Sequence, residues 1–214
     1  MLFPNLVTYH VYDGCFMPPF DAQAYQYILA GDGIFVRAET PFFSAIVPVA
    51  ACSVRGLAPL QPKFRLKVAR IPEKLLRAAL TDALSVRRPD GGLNEALYQF
   101  LHQGNRVQLR RPVQRATGVT VMTAGNDDPN ILCELHSHGN MSAFWSRTDD
   151  ADEQGARVYA VIGRLDTSPE IRIRVGVYGY WHPVPVTAVF TGEAGFTDLY
   201  HEENKSCPSI QPSM

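Results

Sequence analysis

The sequence is poor in the features that announce several common functions. An excess of one charge is missing: 20 Lys and Arg face 21 Asp and Glu, for a net charge of −1. Without a broad basic field to grip phosphates, nucleic acid is disfavoured as a partner. Cysteine is sparse. Cys15, Cys52, Cys133 and Cys207 lie far apart, and no two have CxxC spacing. That excludes zinc knuckles and dithiol redox motifs, and it points to reduced thiols in a cytosolic protein. Long apolar runs are also absent. The longest, "FFSAIVPVAACSV", is too short to span a bilayer and contains Pro48. The opening "MLFPNLVTYHVYDG" has no basic region leading into an apolar stretch, so it does not read as a signal peptide. The expectation is a cytoplasmic protein with neither membrane nor nucleic-acid partners.

What is present is enough for a packed core: 46% of the 214 residues are apolar and 19% charged. Residues 1–68 read as a small β-rich lobe of unknown role, with a strand in "GIFVRAE" and one or two in "FFSAIVPVAACSVRGL", interrupted at Pro48. A helix is expected from Pro72, with Leu76, Ala79, Leu80 and Ala83 on its buried face. "EALYQFL" fits either a helical or a strand period. "RVQLR", "GVTVMT", "ILCELHSH", "RVYAVIGRL" and "EIRIRVGVYGYW" read as strands. The last of these alternates arginine with Ile171, Ile173 and Val175, which predicts one buried and one solvated face. From Gly192 onward the chain is polar and reads as a frayed tail, 192–214.

The chemistry concentrates in "LCELHSHGNMSAFWSRTDDADE", residues 132–153. Alternate residues of a strand share a face, so His136 and His138 point the same way. Gly139 then lets the chain turn. If "AFWSRTD" is helical, Ser146 and Asp149 share a face one turn apart. Two imidazoles and a carboxylate form a usual protein set for catalytic zinc, with the fourth position left for water. Taken singly, an HxH pair is more often an exposed strand, and an acidic run more often a solvated loop. Asp150, Asp152 and Glu153 read as such a loop. Trp145 and Phe144 read as packing residues, and His182 as a turn residue. Arg106, Arg110, Arg111 and Arg115 read either as a solvated strand face or as a dock for an acidic tail.

The joint pattern, H-S-H-G, six residues, Ser, two residues, Asp, resembles the JAMM motif of the JAB/MPN+ metalloproteases, H-[ST]-H-P-x6-S-x2-D. Gly139 stands where that family usually has proline. The run "ELHSHGNMSAFWSRTDDADE" with "ARVYAVIGRLD" and "IRIRVGVYGYW" is similar to the PRTRC system protein A family, a plasmid-associated JAB branch. The resemblance implies an α/β (α+β type) JAB/MPN-like three-layer domain over about 69–191, with a mixed, curved sheet flanked by helices. It implies Zn2+ held by His136, His138 and Asp149, acidifying a water and polarising a scissile carbonyl, with Ser146 steadying the oxyanion. It also implies a ubiquitin-like small-protein substrate and an adenylating enzyme of the same system as partners.

The resemblance further calls for a glutamate that moves the proton from water to the leaving amine. Glu95 is the first choice, unless 93–101 is a helix and Glu95 lies on its surface. Glu134 is the rival for that role: it shares a strand face with the histidines, though neighbours on one face sit side by side, which favours a substrate-contact or bracing role. Glu73 suits a helix start. Two functions follow: a JAMM-type zinc peptidase or isopeptidase, or a JAB-fold scaffold that binds metal within a plasmid-encoded complex without turnover. Other HxH hydrolases fit less well, because "HSHGNM" lacks the HxHxD continuation of metallo-β-lactamases and the chain lacks the H-x-E and P-C-x-x-C of deaminases.

Overall fold

The computed structural model describes residues 5–116, 121–123 and 128–200. Two mixed sheets and few helices make up a mixed α/β architecture. The first sheet runs in chain order through β1 (Val7–Val11), β2 (Tyr25–Ala30), β3 (Gly33–Glu39), β4 (Phe43–Ala51) and β5 (Lys63–Leu66), with β1 parallel to β2 and the rest antiparallel. "FFSAIVPVAACSV" therefore yields a single strand. Pro48 is accommodated because the β3–β4 register shifts between Ile34 and Phe35, beside it.

Helix α1 (Glu73–Ser85) follows, starting after Pro72 and burying Leu76, Ala79 and Ala83. Leu80, expected on that face, is only half-buried. The second sheet is built from β6 (Leu97–Gln103), β7 (Arg106–Arg110), β10 (Ile131–Ser137), β11 (Arg157–Gly163), β12 (Glu170–Val177), β13 (Tyr180–Pro183) and β14 (Thr197–Asp198). A short hairpin of β8 (Gln114–Ala116) and β9 (Val121–Thr123) lies between β7 and β10 in sequence, and α2 (Arg147–Asp152) and α3 (Val186–Val189) complete the chain. Of the strand expected in "GVTVMT", residues 118–120 lie outside the described residues, as do the side chain of Arg115 and residues 1–4.

The main sheet has the order β13-β12-β11-β10-β6-β7, with β14 beside β12. "EALYQFL" resolves as a strand, β6. It is central, between β10 and β7, and buried on both faces, which is why it showed no alternation. β10 and β11 run parallel. A parallel pair needs a crossover, and here residues 138–156 supply it, carrying α2 past the end of β10.

The pleat of the main sheet separates two faces. Cys133 and Leu135 of β10 join one continuous core with Leu76, Ala79 and Ala83 of α1 and with Val36, Ala38, Phe43, Ala45 and Val47 of the first sheet. The cover on that face comes from one helix and a second sheet that shares its core. α2 and α3 are short, at six and four residues. Glu134 and His136 open onto the opposite, polar face.

The frayed tail expected from Gly192 is corrected in its first part. Ala194, Phe196 and Leu199 are buried, β14 pairs with β12, and Asp198 accepts a hydrogen bond from the Val186 backbone. The rest of that tail, 201–214 with Cys207, lies outside the described residues. None of the described helices is long and apolar enough to cross a membrane.

Candidate metal centre

Cross-strand register sets two rows of side chains on the polar face. One runs Arg110, Gln99, Glu134, Tyr159, Arg174; the next runs Leu97, His136, Val161, Arg172. His136 is 8% exposed and His138, just beyond the strand, 4%. The backbone N–H of His138 still donates to Ile162 (2.8 Å), which keeps the second histidine on the edge of β11. Ser137 faces away, and its hydroxyl accepts from Ala96 N–H at 3.0 Å, tying β10 to the start of β6.

The chain turns at Gly139, whose φ is +56°, a conformation that proline cannot adopt. Proline, usual at this position of the motif, does not fit this turn. That loop lies directly on Gly163, where a Cβ would come within 2.4 Å of the Met141 oxygen and the Ala143 nitrogen. Arg164 and Leu165 donate to the carbonyls of Met141 and Gly139. Two glycines therefore fold residues 139–145 back over the end of β11 and deliver the chain to α2.

Ser146 caps α2 in a reciprocal box. Its hydroxyl accepts from Asp149 N–H at 3.2 Å, and the Asp149 carboxylate accepts from Ser146 N–H at 2.6 Å. The box turns the other carboxylate oxygen toward the histidines. His136 Nε2 lies 3.2 Å from His138 Nε2 and 3.3 Å from Asp149 Oδ1, and His138 Nε2 lies 3.8 Å from Asp149 Oδ2. Ligands about 2.05 Å from a tetrahedral zinc stand roughly 3.3 Å apart. The separations from His136 match the edges of such a site, the one between His138 and Asp149 is longer, and ligand atoms of all three lie within 4.8 Å of one another, close enough to hold one ion. Among the described residues no other group of this kind occurs.

Electrostatics favour ligand-ready forms. Burial lowers the His138 pKa to about 4, aided by His136 and opposed by Asp149, so the imidazole is neutral at pH 7. Burial pushes the Asp149 carboxyl up, but its bonds to His136 and Ser146 outweigh this and hold it well below the usual carboxylate range.

Glu95 lies two residues before β6, on the parity of Leu97 and Gln99, and is 6% exposed. It is not on a helix surface. Burial raises its pKa from 4.5 to about 7, with His136 pulling it down and Asp149 pushing it up. Those two influences place Glu95 in the electrostatic reach of the cluster.

Glu134 shares the histidine face as expected, but its carboxylate is committed: Gln99 donates to it at 3.0 Å and Arg157 pairs with it at 2.9 Å. Its role is to brace the sheet face. Glu73 sits in the first turn of α1, paired with Arg77.

Several other readings need correction. The arginine face of β12 is not solvated: Arg174 is 5% exposed and pairs with Asp150 at 2.8 Å and Glu153 at 2.7 Å. Asp150 and Glu153 are therefore not simple loop carboxylates, and burial raises the Glu153 pKa to about 7 against the pull of Arg174. His182 is part of β13 rather than a turn. Trp145 packs against His136 with ring centroids 6.0 Å apart, while Phe144 packs on His138 at 4.5 Å and stays partly exposed. Arg110 and Arg111 are engaged with Gln99, Asp128 and Asp82. Sequence patterning missed Arg174, whose partners lie on other elements.

Residues 81–175 match the family model described as prokaryotic homologs of the JAB domain. This segment is similar to a JAB domain. The match begins within α1, ends in β12 and spans Glu95, His136, His138, Ser146 and Asp149. JAB domains typically bind zinc and include metal-dependent hydrolases, and the His-His-Asp cluster could hold such an ion. No curated protein matches the chain.

Proposed function

We propose that the chain is a zinc-dependent peptidase or isopeptidase of the JAMM type, acting at the C-terminal tail of a ubiquitin-like or sulfur-carrier-like protein. One observation carries this reading: ligand atoms of His136, His138 and Asp149 cluster within 4.8 Å, in electrostatic reach of an acid whose pKa is near 7. His136, His138 and Asp149 would hold the ion. When bound, zinc supplies Lewis acidity toward water and a scissile carbonyl.

The protein's own groups do the rest. The Glu95 carboxylate takes a proton from the attacking water and, as the acid, returns it to the leaving amine; a pKa near neutrality suits both steps. The Ser146 hydroxyl accepts one backbone bond, and its proton is available to donate to the developing oxyanion. The fixed loop 139–145 sets one wall of the site, with Met141 and Phe144 exposed. An extended tail could lie along the sheet face and bind through its backbone. The PRTRC-like sequence run supports an adenylating enzyme of the same system as a further partner.

The test is cleavage of a ubiquitin-like protein carrying a C-terminal extension. Zinc-loaded protein should cut it, a chelator should abolish cutting, and Glu95→Gln should slow it by about 100- to 10,000-fold. Undiminished cutting by Glu95→Gln would remove Glu95 from the base role. A fully zinc-loaded protein that cuts no such tail would favour a metal-binding scaffold.

A further inference from the structure

Helix α2 carries Asp149, yet it has only six residues and buries none of them. No apolar face holds it to the sheet. What reaches it instead is Arg174, rising from β12. The guanidinium Nε donates to Glu153 Oε2 at 2.7 Å, and Nη1 donates to Asp150 Oδ1 at 2.8 Å. The same group lies 3.9 Å from the Trp145 ring and 4.5 Å from the Trp181 ring. Trp145 in turn packs edge-on against His136. One buried cation thus touches both flanks of the helix that bears Asp149, and through Trp145 it reaches the ring of a second candidate ligand.

We infer that Arg174 is a positioning residue for the metal centre: it fixes α2, and so sets the Asp149 carboxylate at bonding distance from an ion held by His136 and His138. This inference rests on the metal-binding reading above. The geometry requires arginine, because a planar fork can meet two carboxylates and stack on two indoles at once. Lysine keeps the charge but loses the fork and most of the stacking. Supporting groups of this kind typically contribute 10- to 100-fold to metal affinity.

The experiment is zinc affinity by chelator competition for four proteins: wild type, Arg174→Lys, Asp149→Ala and the double variant. A urea melt accompanies each, to work where all are folded. Arg174→Lys should weaken zinc binding about 10- to 100-fold in the wild-type background. It should have little effect once Asp149 is alanine, because its influence passes through that carboxylate. A general loosening of the fold would weaken zinc equally in both backgrounds and would overturn the inference, as would wild-type affinity in Arg174→Lys. If Arg174→Lys is unfolded, Glu153→Gln, which weakens the hold of Arg174 on the end of α2 and leaves Trp145 in place, replaces it with the same expectations. Wild-type protein that binds no zinc would instead overturn the metal-binding reading itself.

Discussion

Replacing Glu95 by glutamine should make the stability of the metal-free protein diverge from wild type as pH rises. Glutamine keeps the shape and removes the ionisation. In the folded protein burial holds the Glu95 pKa at about 7, against 4.5 ordinarily. The folded state therefore keeps its proton where the unfolded state has lost it. Below pH 4.5 both states are protonated and Glu95 costs nothing. Between 4.5 and 7 wild type loses stability with rising pH, and above 7 the loss levels off. At about 1.4 kcal/mol per pH unit, the full difference is roughly 3 kcal/mol. Urea denaturation of both proteins at pH 4.5 and pH 8 reads it directly: near-equal stabilities at the lower pH, and Glu95→Gln more stable by about 2–3 kcal/mol at the higher. Saturating zinc should shrink the pH-dependent gap, since a cation beside the carboxylate favours its ionised form. A gap that does not change with pH would refute the burial argument. A gap indifferent to zinc would place Glu95 away from the ion.

Three further outcomes follow from the loop and the cap. Gly139→Pro installs the residue usual in JAMM motifs, yet it should destabilise by more than about 1 kcal/mol, because φ is +56° here; an unchanged thermal melt would refute the assigned turn. Gly163→Ala places a carbon 2.4 Å from the backbone of the 139–145 loop and should weaken zinc affinity along with stability, measured by competition and calorimetry. Ser146→Ala removes the cap of α2, expected to cost about 1 kcal/mol, and removes an oxyanion donor, expected to cost about 100-fold in turnover with zinc still bound.

The parts of the fold visible in the sequence are those whose cause is local. His136 and His138 share a face because strands have period two. The spacing of Ser146 and Asp149 showed too, but as one helical face; the structure makes it a capping box, with Ser146 ahead of α2. α1 showed its apolar stripe and its proline start. The parts that stayed hidden depend on distant partners. β6 carries no alternation because it is buried on both faces, so the placement of Glu95 could come only from resemblance. Arg174 alternates with aliphatic residues as a solvated residue would; only the arrival of Glu153, Asp150 and two tryptophans makes burial tolerable. Residues 192–200 look like a tail until β12 offers an edge and the core takes Phe196 and Leu199. The shared core of the two sheets was likewise invisible, since each strand reports only that it has an inner face.

Metal content per chain decides whether His136, His138 and Asp149 form a zinc site. Protein purified with zinc, dialysed and assayed for metal should retain about one zinc per chain, and the His136→Ala, His138→Ala double variant should retain none while keeping its fold. Zinc-free wild-type protein, or a double variant that holds the metal as tightly as wild type, would show that these residues are not a zinc site.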